Sequence, residues 1–272
     1  MDTWRTAIVD AGPNHIRVRG HDVLDLMQQA TFTDVIFLLH HDRLPSPAER
    51  RLMDAVLIGV ADHGAGAPSC AAARLAASGN RQSPAAAIAA GVLTIGDEHG
   101  GAGSGCMELI AAGLDRARRD GLSFDVAAAH LVDEAKSAHT RLPGFGHRVH
   151  STIDPRVDVL FTLAGDSGLA GDGIRFSRAL EAAIRERLGP IPLNIDGALA
   201  AILIDLGLPS MVGKLLFIVG RVAGLSAEAL EEYTREKPMR IKIPVTYDGV
   251  PPLSDAGRPR LSAERTTHQN GQ

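Results

Sequence analysis

The segment PGFGHRVHSTIDPR, from Pro143 to Arg156, gathers residue types that can do chemistry into one short stretch. Gly144 and Gly146 flank Phe145, which permits a sharp bend and a close approach of backbone to ligand. The turn delivers His147, a side chain suited to proton transfer near neutral pH, beside the cation Arg148. Asp154-Pro155 then reads as an N-cap followed by proline at the first helical position. Val157, Leu160, Phe161 and Ala164 recur at helical spacing and mark the buried face of that helix. Arg156 therefore lies in a first helical turn, where the helix dipole disfavours a cation by about 0.3–1 kcal/mol. A cation placed there suggests an anion to bind; the alternative is a solvated arginine beside a loop histidine.

Four more polar clusters interrupt apolar patterns. Asp62-His63-Gly64 follows the apolar run from Val56 to Ala61, so His63 is either a partner of a helix C-terminus or a ligand contact. Asp97-Glu98-His99-Gly100-Gly101 is either a solvated turn or a histidine aimed at a ligand near a helix N-terminus. Asp196, in Asn194-Ile195-Asp196-Gly197, precedes the apolar run Ala198 to Leu203; it reads as a helix N-cap, a role compatible with catalysis. Arg221 stands within Leu215 to Leu225, where it either snorkels to solvent or, if buried, requires an anionic partner.

Several other chemistries fail on context. The glycines at 100–101 lack the Gly-Lys-Ser/Thr ending of a P-loop, and no strand leads into a GxGxxG. No GxSxG elbow occurs. His147 and His150 have a ligand spacing known from helices, but Arg148 lies between them in a turn, so no metal site is expected.

Helices must position these groups. Helical period predominates, with segments expected at 21–30, 33–41, 47–62, 69–79, 83–95, 102–118, 123–140, 155–165, 174–188, 196–206, 212–223 and 226–236. Ser46-Pro47-Ala48-Glu49 is a capping box that starts the third of them. Ile16-Arg17-Val18-Arg19 is the best candidate for a strand. The fold class is therefore all-α. With 272 residues, one large domain or a domain with a smaller lobe is expected. Pro143 and Gly189-Pro190 bracket the candidate lobe at 143–190, between parts at 1–142 and 191–250. The polar run 251–272 reads as a disordered tail.

A net charge of −4 argues against nucleic-acid and anionic-membrane partners. Two widely spaced cysteines, Cys70 and Cys106, suit a reducing cytoplasm. No signal peptide pattern opens the chain, and the apolar region from Ala198 to Leu225 is too interrupted to span a bilayer.

Together, ADHG at 61–64, EHGGA at 98–102, PGFGHRVHSTIDPR, NIDGALAAIL at 194–203 and FIVGRVAG at 217–224 resemble the citrate synthase superfamily over roughly residues 16–240. The segment VRGHDVLDLMQQATFTDVIFLL near the N-terminus fits the same pattern. Within that family LTIGDEHGGA and the short first half resemble the citryl-CoA lyases and the corresponding module of ATP-citrate lyase. The resemblance implies an all-α fold with a reduced large domain and a small mobile domain, in a homodimer or higher homo-oligomer. It implies cleavage of citryl-CoA to acetyl-CoA and oxaloacetate, with condensation of oxaloacetate and an acyl-CoA as the alternative and a non-catalytic coenzyme A-binding subunit as a further one; it implies no tightly bound cofactor beyond a coenzyme A thioester as substrate, and no metal. By resemblance His99, His147 and Asp196 are catalytic, and His63, Arg156 and Arg221 hold substrate carboxylates. Gly144, Phe145, Gly146 and Arg148 contact coenzyme A. The C-terminal RIKIPVTYDG departs from the synthases' RPR-x-x-Y-type segment and keeps only Arg240 and Lys242 nearby.

Overall fold

The computed structural model describes residues 3–146 and 152–250. His147, Arg148, His150 and the expected tail at 251–272 lie outside the described residues. The alternating segment forms β2 (His15–Val18), but it is joined by β1 (Val9–Gly12) and β3 (His21–Asp22) in an antiparallel sheet of order β1-β2-β3. The register pairs Val9 with Val18 and Arg17 with Asp22. The alternation in β1 spans only Val9, Asp10 and Ala11, and β3 has two residues, so pairing in the ladder is what makes them strands.

Eleven helices follow among the described residues: α1 (Val23–Gln29), α2 (Phe32–His41), α3 (Pro47–Ala61), α4 (Pro68–Gly79), α5 (Pro84–Leu93), α6 (Ala102–Asp120), α7 (Phe124–Ser137), α8 (Pro155–Asp166), α9 (Asp172–Arg187), α10 (Ile195–Asp205) and α11 (Met211–Arg235). None is long and apolar enough to cross a membrane. The capping box forms as read, with Glu49 N donating to Ser46 Oγ at 3.2 Å and Ser46 N donating to Glu49 Oε2 at 2.7 Å.

The two helices expected at 212–223 and 226–236 are one, α11. The glycines of this helix serve close packing. A Cβ on Gly220 would stand 2.6 Å from Val60 Cγ2, and one on Gly224 would collide with the Ala61 carbonyl oxygen, so α3 and α11 cross almost backbone to backbone.

The centre of the core is α10, whose residues Ile195 and 197–203 are all buried. A helix apolar on every side has no solvent face, and α10 is surrounded by α6, α8, α9 and α11. Its last residue, Asp205, accepts backbone N–H bonds from Gly171, Gly173 and Ile174 at 2.8, 2.7 and 3.1 Å. It thereby caps α9, whose own N-cap, Gly171, has no side chain to do so. Met1–Arg240 form one compact unit and Ile241–Gln272 a second, in which residues 241–250 form neither helix nor strand.

Candidate active site

Gly144 and Gly146 both adopt positive φ, +84° and +81°, the left-handed region that glycine enters without steric cost. The turn is stitched to the chain leading into α10. Gly146 N donates to Pro192 O at 2.8 Å, Asn194 N to Gly144 O at 3.0 Å, and Asn194 Nδ2 to Gly146 O at 2.7 Å. A side chain at either Gly144 or Gly197 would break this joint, since a Cβ on Gly197 would stand 2.5 Å from Gly144 O. Gly146, the residue before His147, is thus fixed two positions from Asp196.

Asp196 is not the cap of α10. Asn194 Oδ1 accepts the N–H bonds of Asp196 and Gly197 at 2.9 and 3.1 Å, which frees the Asp196 carboxylate from capping. Its Oδ1 is buried with no hydrogen-bond partner among the described residues. Desolvation at the start of the apolar helix pushes its pKa from 3.8 up to about 6, against the opposing pull of Arg156 and Arg221. A half-buried carboxyl raised toward neutrality, with one oxygen unpartnered among the described residues, is a candidate general acid or base.

Arg156 has an anion already. Asp154 caps α8 through Arg156 N (3.2 Å) and grips the guanidinium through Nε (2.9 Å) and Nη2 (2.7 Å). Nη1 donates to Gly59 O at 3.1 Å. Asp154 also accepts Ile195 N at 3.1 Å, so this one buried acid joins the starts of α8 and α10. The adverse dipole at Arg156 is offset within the protein.

Arg221 is the opposite case. It is only 2% exposed, and among the described residues it makes no ion pair. Its Nε donates to Val60 O at 2.8 Å, its Nη1 to Ser69 Oγ at 3.1 Å, and its guanidinium lies 4.9 Å from the Phe217 ring centroid. Burial lowers its pKa. A buried cation held by neutral groups is costly unless an anion arrives.

Ser69 connects Arg221 to His99. His99 sits on a tight turn closed by reciprocal Gly96–His99 backbone bonds of 2.9 Å. Its Nε2 lies 2.9 Å from Ser69 Oγ and accepts Ser69 N at 3.3 Å. Because α4 has no side-chain cap, His99 takes one of that helix's orphan N–H groups. With two donors at Nε2, the neutral imidazole carries its proton on Nδ1. Lys214 and Arg141 pair with Asp97 and Glu98 on the same turn, each at 2.8 Å. His63 lies beyond the end of α3, and its backbone N–H meets the thiol of Cys70, the neighbour of Ser69.

The structure therefore brings His99, Arg156, Asp196 and Arg221 around one joint of α4, α8, α10 and α11, with His63 at its edge. Sequence reasoning missed Ser69, Asn194 and the pairing role of Asp154. Only Asp154 carried a signal, since the acid that caps a helix is in reach of a cation in its first turn.

The model of the citrate synthase C-terminal domain matches residues 45–242. Among solved structures, citryl-CoA lyase from Hydrogenobacter thermophilus is 35% identical, with a TM-score of 0.84 over 93% of this chain and 97% of that one. ATP citrate lyase from Methanosaeta concilii shares the fold at 22% identity and a TM-score of 0.71, over 91% of this chain and 42% of that one. Citrate synthase from Haloferax volcanii is 27% identical over 82% of this chain and 57% of its own length; that from Helicobacter pylori is 31% identical over 68% and 44%. The chain spans about half the length of the curated relatives it matches. With the family model covering most of the chain and these helices in the same arrangement, the protein belongs to the citrate synthase family.

Proposed function

We propose that the chain cleaves citryl-CoA to acetyl-CoA and oxaloacetate. The observation that carries the chemistry is Asp196, whose carboxyl is raised to about 6, feels the charges of two arginines, and has an Oδ1 with no hydrogen-bond partner among the described residues. The likeness to the Hydrogenobacter lyase along nearly its whole length supports the direction.

In this mechanism His147 takes the proton of the tertiary hydroxyl. The bond between that carbon and the acetyl carbon breaks, its electrons entering the thioester carbonyl as the alkoxide becomes the ketone of oxaloacetate. His99 Nδ1–H hydrogen-bonds the developing enolate oxygen, its orientation fixed by Ser69 at Nε2. Protonated Asp196 delivers its proton to the enolate carbon and yields the methyl group of acetyl-CoA. Arg221 holds a carboxylate of the oxaloacetate portion, with His63 beside it; Arg156 joins them by sharing its charge between Asp154 and substrate. The turn at Gly144, Phe145 and Gly146, with Arg148, receives coenzyme A. Closure of the region 143–190 excludes water while the enolate exists, in a homodimer or larger homo-oligomer. The reverse condensation of oxaloacetate with an acyl-CoA is the second reading, favoured by the likeness to citrate synthases.

The test is direct. Purified protein given citryl-CoA produces acetyl-CoA and oxaloacetate, and Asp196→Ala folds but loses at least about 100-fold in turnover, the scale of a general acid–base residue. Full activity in that variant overturns the roles; release of CoA thiol from oxaloacetate and acetyl-CoA, without citryl-CoA cleavage, selects the second reading.

A further inference from the structure

Asn194 is the N-cap of α10, a position that serine or aspartate would fill equally well. What sets asparagine apart is the second end of its carboxamide. The Oδ1 end accepts the N–H groups of Asp196 at 2.9 Å and Gly197 at 3.1 Å, while the Nδ2 end donates to Gly146 O at 2.7 Å. The partners fix this orientation, since two donors face one end and a carbonyl faces the other. The residue is buried, so both ends are satisfied by protein. The backbone already holds the rest of the turn. Gly146 N donates to Pro192 O at 2.8 Å, Asn194 N donates to Gly144 O at 3.0 Å, and Phe145 is bridged to Leu193. The Asn194 amide adds a constraint that these bonds lack. It holds the Gly146 carbonyl, and with it the plane of the peptide unit through which the chain leaves the turn toward His147.

We propose that Asn194 is a positioning residue that keeps the two proton-transfer groups in register: its oxygen seats the helical turn bearing Asp196, and its amide N–H sets the exit of the chain toward His147. The proposal rests on the acid–base reading of Asp196 and His147. It separates two steps. Taking a proton from the methyl of acetyl-CoA needs Asp196 and His99, with the thioester held by the turn, whose backbone bonds do not involve the side chain. Breaking the carbon–carbon bond of citryl-CoA needs His147 as well, so only this step depends on the amide donor.

The experiment compares Asn194→Ser and Asn194→Asp with the wild type in the full chain. Both variants keep an oxygen that accepts the α10 N–H groups. Serine lacks the amide donor, and aspartate sets a carboxylate oxygen against Gly146 O. Cleavage of citryl-CoA is measured beside deuterium exchange at the methyl of saturating acetyl-CoA, with malate in place of oxaloacetate. Malate has no ketone, so no carbon–carbon bond forms and exchange reads the first step alone. The kcat of cleavage is expected to fall about 10–100-fold, the scale of a displacement of about 1 Å, and at least about tenfold further than that of exchange, with aspartate worse than serine. Cleavage at the wild-type rate in the serine variant overturns the proposal, because the donor is then idle. Loss of cleavage and exchange by one common factor also overturns it, because Asn194 then only supports α10. If one variant does not fold, the same ratio in the other decides. A wild-type protein that neither cleaves citryl-CoA nor exchanges the methyl refutes the acid–base reading itself, an outcome distinct from variants that match an active wild type.

Discussion

Asp196 is stable in its pocket only at a cost, and the cost is measurable. Its pKa in the folded chain, about 6, lies above the ordinary 3.8, so the folded state holds an extra proton between these values. Stability from this group is greatest below about pH 4, falls as pH rises through that window, and is constant above about 6. Asp196→Asn keeps the shape and removes the charge. At pH 7 it is expected to stabilise the fold by about 2–3 kcal/mol, roughly 5–10 °C in Tm; thermal melts from pH 4 to 8 check this, and a gain that persists undiminished at pH 4 contradicts it. Ser69→Ala tests the neighbouring link. It removes one donor to His99 and one acceptor for the buried Arg221 while leaving the α4 backbone bond in place, so a fall of about 10–100-fold in kcat is expected together with a loss of about 1–3 kcal/mol in stability. Asp196 and Arg221 were legible in the sequence because each interrupts an apolar run. Ser69 was not, since a serine in the first turn of a helix announces no distant partner, and the 30 residues between it and His99 are bridged only by folding.

At the scale of elements, helix starts were readable and helix continuity was not. Ser46, Asp154 and Pro155 declare their helices through local chemistry, and the buried face of α8 is Val157, Leu160, Phe161 and Ala164, as spaced in the chain. Gly220 and Gly224 were ambiguous because glycine both weakens a helix and permits a close crossing; the deciding contacts, with Val60 and Ala61, come from a helix more than 150 residues earlier. The first strand and third strand were hidden for the same reason, since their partner is β2 and not their own pattern. Asp205 is the corresponding device between α10 and α9. Its three backbone bonds replace a cap that Gly171 cannot supply. Asp205→Ala is expected to cost about 2 kcal/mol, and hydrogen exchange of the Gly173 and Ile174 amides is expected to rise more than that of α6. Uniform loss of protection across both helices counts against a local cap.

Across the whole molecule these groups set opposing slopes of stability with pH. Glu49, held by the Arg43 guanidinium at 2.6 and 2.9 Å and by the Ser46 N–H, has its pKa lowered from 4.5 to about 2. A lowered carboxylate contributes stability that is complete above about pH 4.5 and is lost as pH falls toward 2. Asp34 is lowered as well, through Thr31 and Arg50, with burial opposing, and acts in the same direction. Asp196 runs the other way between about 6 and 4. Acidification from neutrality therefore first relieves the penalty of the buried Asp196 charge and then breaks the capping box at the start of α3. The wild type is expected to gain stability relative to Asp196→Asn as pH falls from 6 to 4, and to lose it relative to Glu49→Gln as pH falls from 4.5 to 2. Because Arg43 is about half exposed, the Glu49 contribution is discounted for solvent screening to about 1–2 kcal/mol. Urea titrations of the three proteins across that range separate the two groups. If the Glu49→Gln deficit is as large at pH 2.5 as at pH 7, the ionised Arg43–Glu49 pair is not what anchors α3, and its stability rests on Ser46 and apolar packing alone.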